Sequence, residues 1–370
     1  SPHLRRDGAP MSQLELARGL ADRGWRLLCA SPSEGPLGEA YRAAGIRIEC
    51  WPELTARSAT PAWYEEDAAA LAARLRALNP AVVYANTLDA FPAIDAARIA
   101  GLPSLWNIRE GEDWRLRLAD RHTHVAARAL AAFSYPESVV FVARAAANAW
   151  SDFTPAERRR VVYNAPASLA SGSPTLRATN DSFNILSVGV LCERKGQIDL
   201  IEALGQLDPG LRKTVRVTFI GRDHEGYRAR MELRLAPELA NQAAFAGETD
   251  GIAGALAGAD LLVHTARAEA FPRVFLEAAA ADVPIVATRV GGAAERLEDG
   301  TSALLYEAGD TAALARQIAR AADPGLRAKL AAAARAALVE GWTFADMIGA
   351  YEGGLRSAGR GRLPETRGLA

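Results

Sequence analysis

A chain of 370 residues is too long for one ordinary core and suits two, at roughly 150 residues per domain. A formal net charge of -1, with 49% hydrophobic and 24% charged residues, describes an ordinary globular protein rather than a disordered or fibrous one, and gives no reason to invoke nucleic acid as a partner. The three cysteines, Cys29, Cys50 and Cys192, are far apart and form no Cys-x-x-Cys pair, which suits free thiols in a reducing, cytoplasmic compartment. No apolar run approaches the roughly 18 residues of a transmembrane helix, and the opening residues lack the apolar core of a signal peptide. Any membrane association is therefore expected to be peripheral, at the inner face.

Short apolar runs alternate with helical windows along nearly the whole chain, the rhythm of parallel sheets wrapped by helices. The opening Ser1-Pro2-His3-Leu4 leads through Asp7-Gly8-Ala9-Pro10 into a helix over Met11–Arg23, where proline suits the first turn. No strand precedes that helix, and a first strand is expected to be missing. Strands follow at Trp25–Ala30, Ile46–Trp51, Ala81–Ala85, Ser104–Ile108 and Ser138–Val142, with helices at Pro61–Leu78 and Phe91–Ala100. From Ala165 to Asp181 the composition turns to Ala, Ser, Gly, Pro, Thr and Asn without periodicity, the mark of an interdomain linker. The rhythm then restarts with strands at Phe183–Val188, Val215–Ile220, Gln242–Phe245, Asp260–His264 and Pro284–Ala287.

The Ala-rich stretch 329–338 reads as helix, as do the residues around Trp342–Leu355. These elements divide the chain into a first lobe (1–165), a linker (166–181), a second lobe (182–341), a closing helix (342–358) and a flexible tail (359–370). The expected architecture is α/β, two doubly wound lobes facing a cleft, where open parallel sheets bind ligands beyond the carboxyl ends of their strands.

Three segments of the second lobe carry candidate chemistry. In Asp260–Glu277 an apolar strand ends near His264, a polar loop follows, and a helix beginning near Pro272 sets Glu277 about one and a half turns in. Glu269 and Glu277 thus lie at different depths of one strand–loop–helix junction, whose helix start offers N–H groups and a positive dipole end to an anion. Taken alone, two glutamates at this spacing also fit a helix cap and a solvated helix face. After the strand ending at Val188 comes Gly189-Val190-Leu191-Cys192-Glu193-Arg194-Lys195-Gly196. Only three of the 43 basic residues are lysines, so Lys195 in a glycine-flanked loop departs from the chain's own usage, and a compact point charge suits a phosphate. After the strand Pro284–Ala287 comes Thr288-Arg289-Val290-Gly291-Gly292-Ala293-Ala294-Glu295, a turn at which backbone can approach a ligand closely.

Together these segments resemble the motifs of glycosyltransferase family 4, whose members have the GT-B fold. Glu269 and Glu277 match its Glu-x7-Glu pair, Lys195-Gly196 its Lys-Gly, and Val290-Gly291-Gly292 with Glu295 its Val-Gly-Gly-x-x-Glu turn. Gly8 matches its Gly-Gly-Ala-Pro loop, in which Asp7 replaces one glycine here, and Tyr163-Asn164-Ala165-Pro166 is similar to its turn before the linker. Val190 stands where the family usually has an arginine.

The resemblance implies retaining transfer of a hexose-type sugar from a nucleotide diphosphate-sugar, without metal or cofactor, and a final helix that crosses back to the first lobe. Such a reaction needs a hold on the ribose, cations or N–H groups for the departing diphosphate, and support for a sugar with oxocarbenium character. By the resemblance, Glu269 faces the transferred sugar and Glu277 accepts from the ribose hydroxyls. Lys195 and Arg194 take the diphosphate charge, Arg194 or Arg273 replacing the arginine missing at 190. The N–H groups of Phe271, Pro272-flanked Arg273 and Val274 approach sugar or phosphate, and Gly8, Gly291, Gly292 and Glu295 complete the donor side.

The acceptor side is less marked. Arg109, Glu110 and Trp114 follow a strand of the first lobe, Ser104–Ile108, in which Trp106 lies. Arg109 is a candidate for an anionic acceptor or the phosphates, and either tryptophan for stacking on a sugar; a buried tryptophan and a surface ion pair is the competing reading. His122 and His124, two apart on an expected helix, point away from each other and do not suggest a metal. Glycan, lipid-linked and small-molecule acceptors all remain open. A nucleotide-sugar-binding subunit without turnover, suggested by Asp7 and Val190, and a sugar nucleotide epimerase on the same fold are the alternatives.

Overall fold

The computed structural model of the chain describes residues 1–55, 61–167, 182–249 and 251–363. Most of the expected linker and residues 364–370 of the expected tail lie outside the described residues. Two compact units emerge: Ser1–Asn164 together with the segment from Phe344 onward, and Ala165–Thr343.

The first unit holds two separate parallel sheets. β1 (Leu28–Ser31) pairs with β2 (Arg47–Cys50), and β3 (Val83–Asn86), β4 (Ser104–Ile108), β5 (Ser138–Phe141) and β6 (Arg159–Val161) pair in that order. Parallel neighbours require crossovers, and helices supply them: Phe91–Ala100 runs between β3 and β4, while Pro61–Leu78 links the two sheets in sequence, between β2 and β3. The first helix spans Gly8–Asp22, with Pro10 inside its opening turn. β4 is buried along its full length, as a strand covered on both faces must be.

The closing helix, Phe344–Ala358, packs into this same unit. Its Met347, Ile348, Tyr351 and Leu355 are buried, a stripe at helical spacing worth roughly 1.5–3 kcal/mol for each fully buried large side chain. Glu352 anchors it to the far end of the first helix, pairing with Arg23 at 3.0 Å and accepting from Trp25 Nε1 at 3.1 Å.

The second unit is one six-stranded parallel sheet in the order β12-β11-β10-β7-β8-β9. Its strands are β7 (Phe183–Val188), β8 (Val215–Ile220), β9 (Ala243–Gly247), β10 (Leu261–His264), β11 (Ile285–Thr288) and β12 (Leu304–Tyr306). Order changes direction between β7 and its neighbours: the chain moves outward through β8 and β9, then returns to β10 on the other side of β7. Such a reversal opens a crevice at the carboxyl ends of the flanking strands, and the Lys195 loop leaves β7 there while the Glu269 loop leaves β10. The expected strands and helices recur within a few residues of their predicted bounds. β6 and β12, of three residues each, were not among the expected strands, being too short to show a period.

Candidate functional site

In the second unit the strand ends bring three charged groups to one point. Lys195 Nζ donates to Glu269 Oε2 in a direct ion pair, and Arg194 Nη1 lies 3.6 Å from the same oxygen. The other carboxylate oxygen of Glu269 accepts from Ala270 N at 3.2 Å. The Lys195 and Glu269 side chains are only 14% and 15% exposed. Burial on its own raises a carboxyl pKa, yet the cations Lys195 and Arg194 outweigh it and hold Glu269 down at about 2, so the carboxylate is charged at neutral pH.

Local backbone explains why the charges meet. Thr265 Oγ1 donates to Lys195 O at 2.7 Å and Arg267 N to Arg194 O at 2.8 Å, tying the loop after β10 to the loop after β7. Arg267 is itself fixed by Asp199 at 2.7 Å. The Gly291-Gly292 turn closes the other side: Gly292 N donates to Ala270 O at 2.6 Å, and a Cβ on Gly291, whose φ is +54°, would stand 1.8 Å from Glu269 O. Only glycine allows both that left-handed backbone and that approach.

Glu277 lies in the second turn of the helix Arg273–Ala280, for which Pro272 is the N-cap residue, and accepts from Arg273 Nε at 2.9 Å. Phe271 and Val274 are buried, so what this junction offers a ligand is its backbone and the Arg273–Glu277 pair. His264, the last residue of β10, is 4% exposed, packs edge-on to Phe275 at 5.1 Å, and neither ring nitrogen has a partner. Burial and the nearby Lys195 charge bring its pKa down to about 3, so it is a neutral imidazole beside the ion pair. Glu295 lines an open groove of about 840 Å³ with Arg289, Arg296, Asp299, Ser302 and Ala336, and its N donates to Gly292 O at 3.3 Å.

In the first unit, Arg109 sits just beyond β4. Its Nε donates to Asn86 Oδ1 at 2.8 Å and its Nη1 to Asn164 Oδ1 at 3.0 Å. Asn86 in turn donates to Ala9 O at 3.1 Å, which brings the start of the first helix, with Gly8, beside the arginine. A Cβ at Gly8 would meet nothing within 4 Å. Both residues that position Arg109 are uncharged amides, and no carboxylate pairs with its guanidinium among the described residues. Glu110 Oε2 accepts from Leu88 N at 3.0 Å and Arg109 N at 2.9 Å. Burial, opposed by Arg117 and reinforced by Asp89, raises its pKa to about 7. Thr87, between these groups, adopts a φ of +73°, uncommon for a residue with a Cβ; sequence gives no sign of it.

Trp106 does not face a ligand. Its side chain is fully buried, 4.6 Å from the Phe133 ring, and its Nε1 donates to Thr87 O at 2.8 Å; β4 is covered on both faces, which apolar spacing alone left open. Trp114 is half-buried, stands edge-on to Phe153 at 5.3 Å and carries Arg115 over its ring. Among the described residues no cluster of three His, Cys, Asp or Glu side chains could hold a metal ion, and His124 pairs with Glu65. The three cysteines are unpaired, and no helix among the described residues is long and apolar enough to cross a membrane.

Two parallel-sheet α/β units, with charged groups gathered at the carboxyl ends of the second unit's strands, define the GT-B class of fold. The comparison with solved structures agrees: HepE of Anabaena, in complex with UDP and glucose, superposes with a TM-score of 0.80 at 23% identity, over 96% of this chain and 97% of that one. Residues 6–165 match Glycosyltransferase Family 4 and residues 182–323 match Glycosyl transferases group 1. The chain belongs to glycosyltransferase family 4. It is 34% identical over 206 residues to a D-inositol 3-phosphate glycosyltransferase of Acidothermus cellulolyticus, a stretch covering 51% of this chain and 45% of that protein. It is 33% identical over 170 residues to the lipopolysaccharide core biosynthesis glycosyltransferase LpsE of Rhizobium meliloti, covering 45% of this chain and 48% of that one. The chain thus spans about half the length of these curated relatives.

Proposed function

We propose that the chain is a retaining, metal-independent glycosyltransferase that moves a hexose-type sugar from a nucleotide diphosphate-sugar to a glycan, lipid-linked or small-molecule acceptor. The observation that carries this reading is the convergence of Lys195 and Arg194 on the Glu269 carboxylate at the ends of β7 and β10. As a diphosphate leaves, negative charge grows on its oxygens while the sugar becomes positive. Cations already in place meet the first demand without reorganisation, and a carboxylate held ionised meets the second. With no donor present, Glu269 balances the two cations; a bound diphosphate adds a second anion to the same cations and draws on their charge as it departs. Glu277, at the adjoining helix start, is the hydrogen-bond acceptor for the ribose, and Gly291 and Gly292 keep the Glu269 backbone in place.

The relatives support the donor class: one solved neighbour holds UDP and glucose, and the curated relatives are named as glycosyltransferases. Arg109 and Glu110 are the acceptor-side candidates, and the unpaired cysteines fit a reducing compartment, with any membrane contact peripheral. The test is product formation that depends on a nucleotide-sugar and on an acceptor, measured with and without a chelator. Turnover should survive chelation and collapse in Glu269→Ala. Full activity in that variant would sink the proposal, and conversion of donor alone into an isomeric nucleotide-sugar would replace it with epimerisation.

A further inference from the structure

We propose that Arg222 supplies the guanidinium that position 190 lacks and neutralises the donor's diphosphate together with Lys195, an inference that rests on the donor-site reading above. It follows from register. β7 and β8 pair up to Val188 and Ile220, and the pairing continues past the strand ends: Gly189 N donates to Ile220 O at 2.9 Å, Leu191 N to Arg222 O at 2.8 Å, and Leu191 bridges Asp223. Val190 and Arg222 are therefore neighbours across the ladder. Residues paired on parallel strands project to one face, and successive residues to opposite faces. Leu191 is buried in the core of the unit, which leaves Val190, and Arg222 beside it, on the other face.

Glycines make the approach possible. A Cβ on Gly221 would lie 2.0 Å from Gly189 O, and one on Gly189 would lie 3.5 Å from Lys195 Cε. Lys195 thus runs past the point where the two segments touch, one residue from the Val190–Arg222 pair. An arginine at 222 therefore starts from the backbone position paired with 190, next to the glycines that Lys195 passes.

Charge availability points to the same residue. Arg267 is committed to Asp199 at 2.7 Å and Arg273 to Glu277 at 2.9 Å, while Arg194 already counts among the cations beside Glu269. Arg222 has one ion pair among the described residues, its buried Nε lying 3.9 Å from a mostly exposed Glu248, too far for that Nε to make a hydrogen bond. A guanidinium N–H left without an acceptor is unfavourable, and a phosphate, which matches the planar fork in two places, removes that deficit.

Titration calorimetry with UDP, and with GDP and ADP alongside, tests this on wild type, Arg222→Ala, Arg222→Lys, Lys195→Ala and the double variant Arg222→Ala/Val190→Arg. Arg222→Ala should weaken diphosphate binding by roughly tenfold or more, and the double variant should recover most of it. Should Arg222→Ala fail to fold, Arg222→Lys carries the test: a point charge without the fork should still bind several-fold more weakly. Unchanged affinity in the Arg222 variants, with affinity lost in Lys195→Ala, overturns the role of Arg222 and leaves the donor site standing. No binding of any diphosphate to wild type, or no loss in Lys195→Ala, overturns the donor reading and this inference with it.

Discussion

Both units gather charge at the carboxyl ends of parallel strands, and they hold it in opposite ways. In the second unit a lysine and a glutamate pair directly, and the pair keeps Glu269 ionised despite its burial. In the first unit Arg109 is positioned by two neutral amides, and Glu110 accepts only backbone N–H groups with its carboxyl pushed up to about 7. On the proposed function, the difference separates two tasks. A fixed ion pair is organised to meet charge that appears during a reaction. An arginine with uncharged partners keeps its full attraction for an anion that arrives already charged, as a phosphorylated acceptor would.

That contrast can be broken at several points. Glu269→Ala and Lys195→Ala should each lower sugar transfer by more than about hundredfold, measured at saturating donor, with the unfolding midpoint retained only where the remaining charge finds a new partner. Gly291→Ala comes next: its methyl would collide with Glu269 O and its backbone is left-handed, so a loss of at least about 2 kcal/mol is expected, read by denaturant unfolding and accompanied by lower transfer.

The pH dependence of stability should differ in sign between His264 and Glu269 on one side and Glu110 on the other. His264, with its folded pKa lowered to about 3, binds fewer protons than in the unfolded chain between that value and its ordinary 6.5, so its contribution is present above pH 6.5 and is lost as pH falls towards 3. His264→Phe should remove roughly 2 kcal/mol of that acid loss at pH 5. Glu269, lowered from 4.5 to about 2, acts in the same direction over the more acidic window. Glu110, raised from 4.5 to about 7, does the reverse: the folded state binds the extra proton, so stability falls as pH rises from 4.5 to 7, and Glu110→Gln should flatten that slope. Hydrogen exchange followed by mass spectrometry across pH resolves the two units in one experiment. The smallest expected change is in Arg109→Ala, which should raise the KM of an anionic acceptor by about tenfold and leave donor affinity as it was; a loss of donor affinity instead would merge the two tasks.

The second unit's site was legible because its parts are local. Glu269 and Glu277 share one strand–loop–helix junction, Lys195 stands out by its rarity, and the turn at Gly291 has a recognisable composition, and it was their joint resemblance to the family 4 motifs that marked them as candidates. What chain order left open was contact: that Gly291 presses on the Glu269 carbonyl, or that Arg222 stands beside Val190, arises from the packing of loops and the β7–β8 register. In the first unit almost everything is of that kind. Asn86, Asn164 and Arg109 lie on three different segments, the φ of Thr87 has no sequence signature, and Trp106 reads equally as a sugar platform or as core until β4 is seen covered on both faces. β6 and β12 escaped for a simpler reason, since three residues cannot display a period of two.

The most direct test of the account follows nucleoside diphosphate release from a panel of UDP-, GDP- and ADP-linked hexoses, comparing wild type with Glu269→Gln, which keeps the shape and removes the charge. At least one donor should be cleaved by wild type and more than about a hundredfold more slowly by the variant, with the diphosphate still bound by both. Equal rates in the two proteins would contradict the assignment of Glu269 and its cations as the reaction centre.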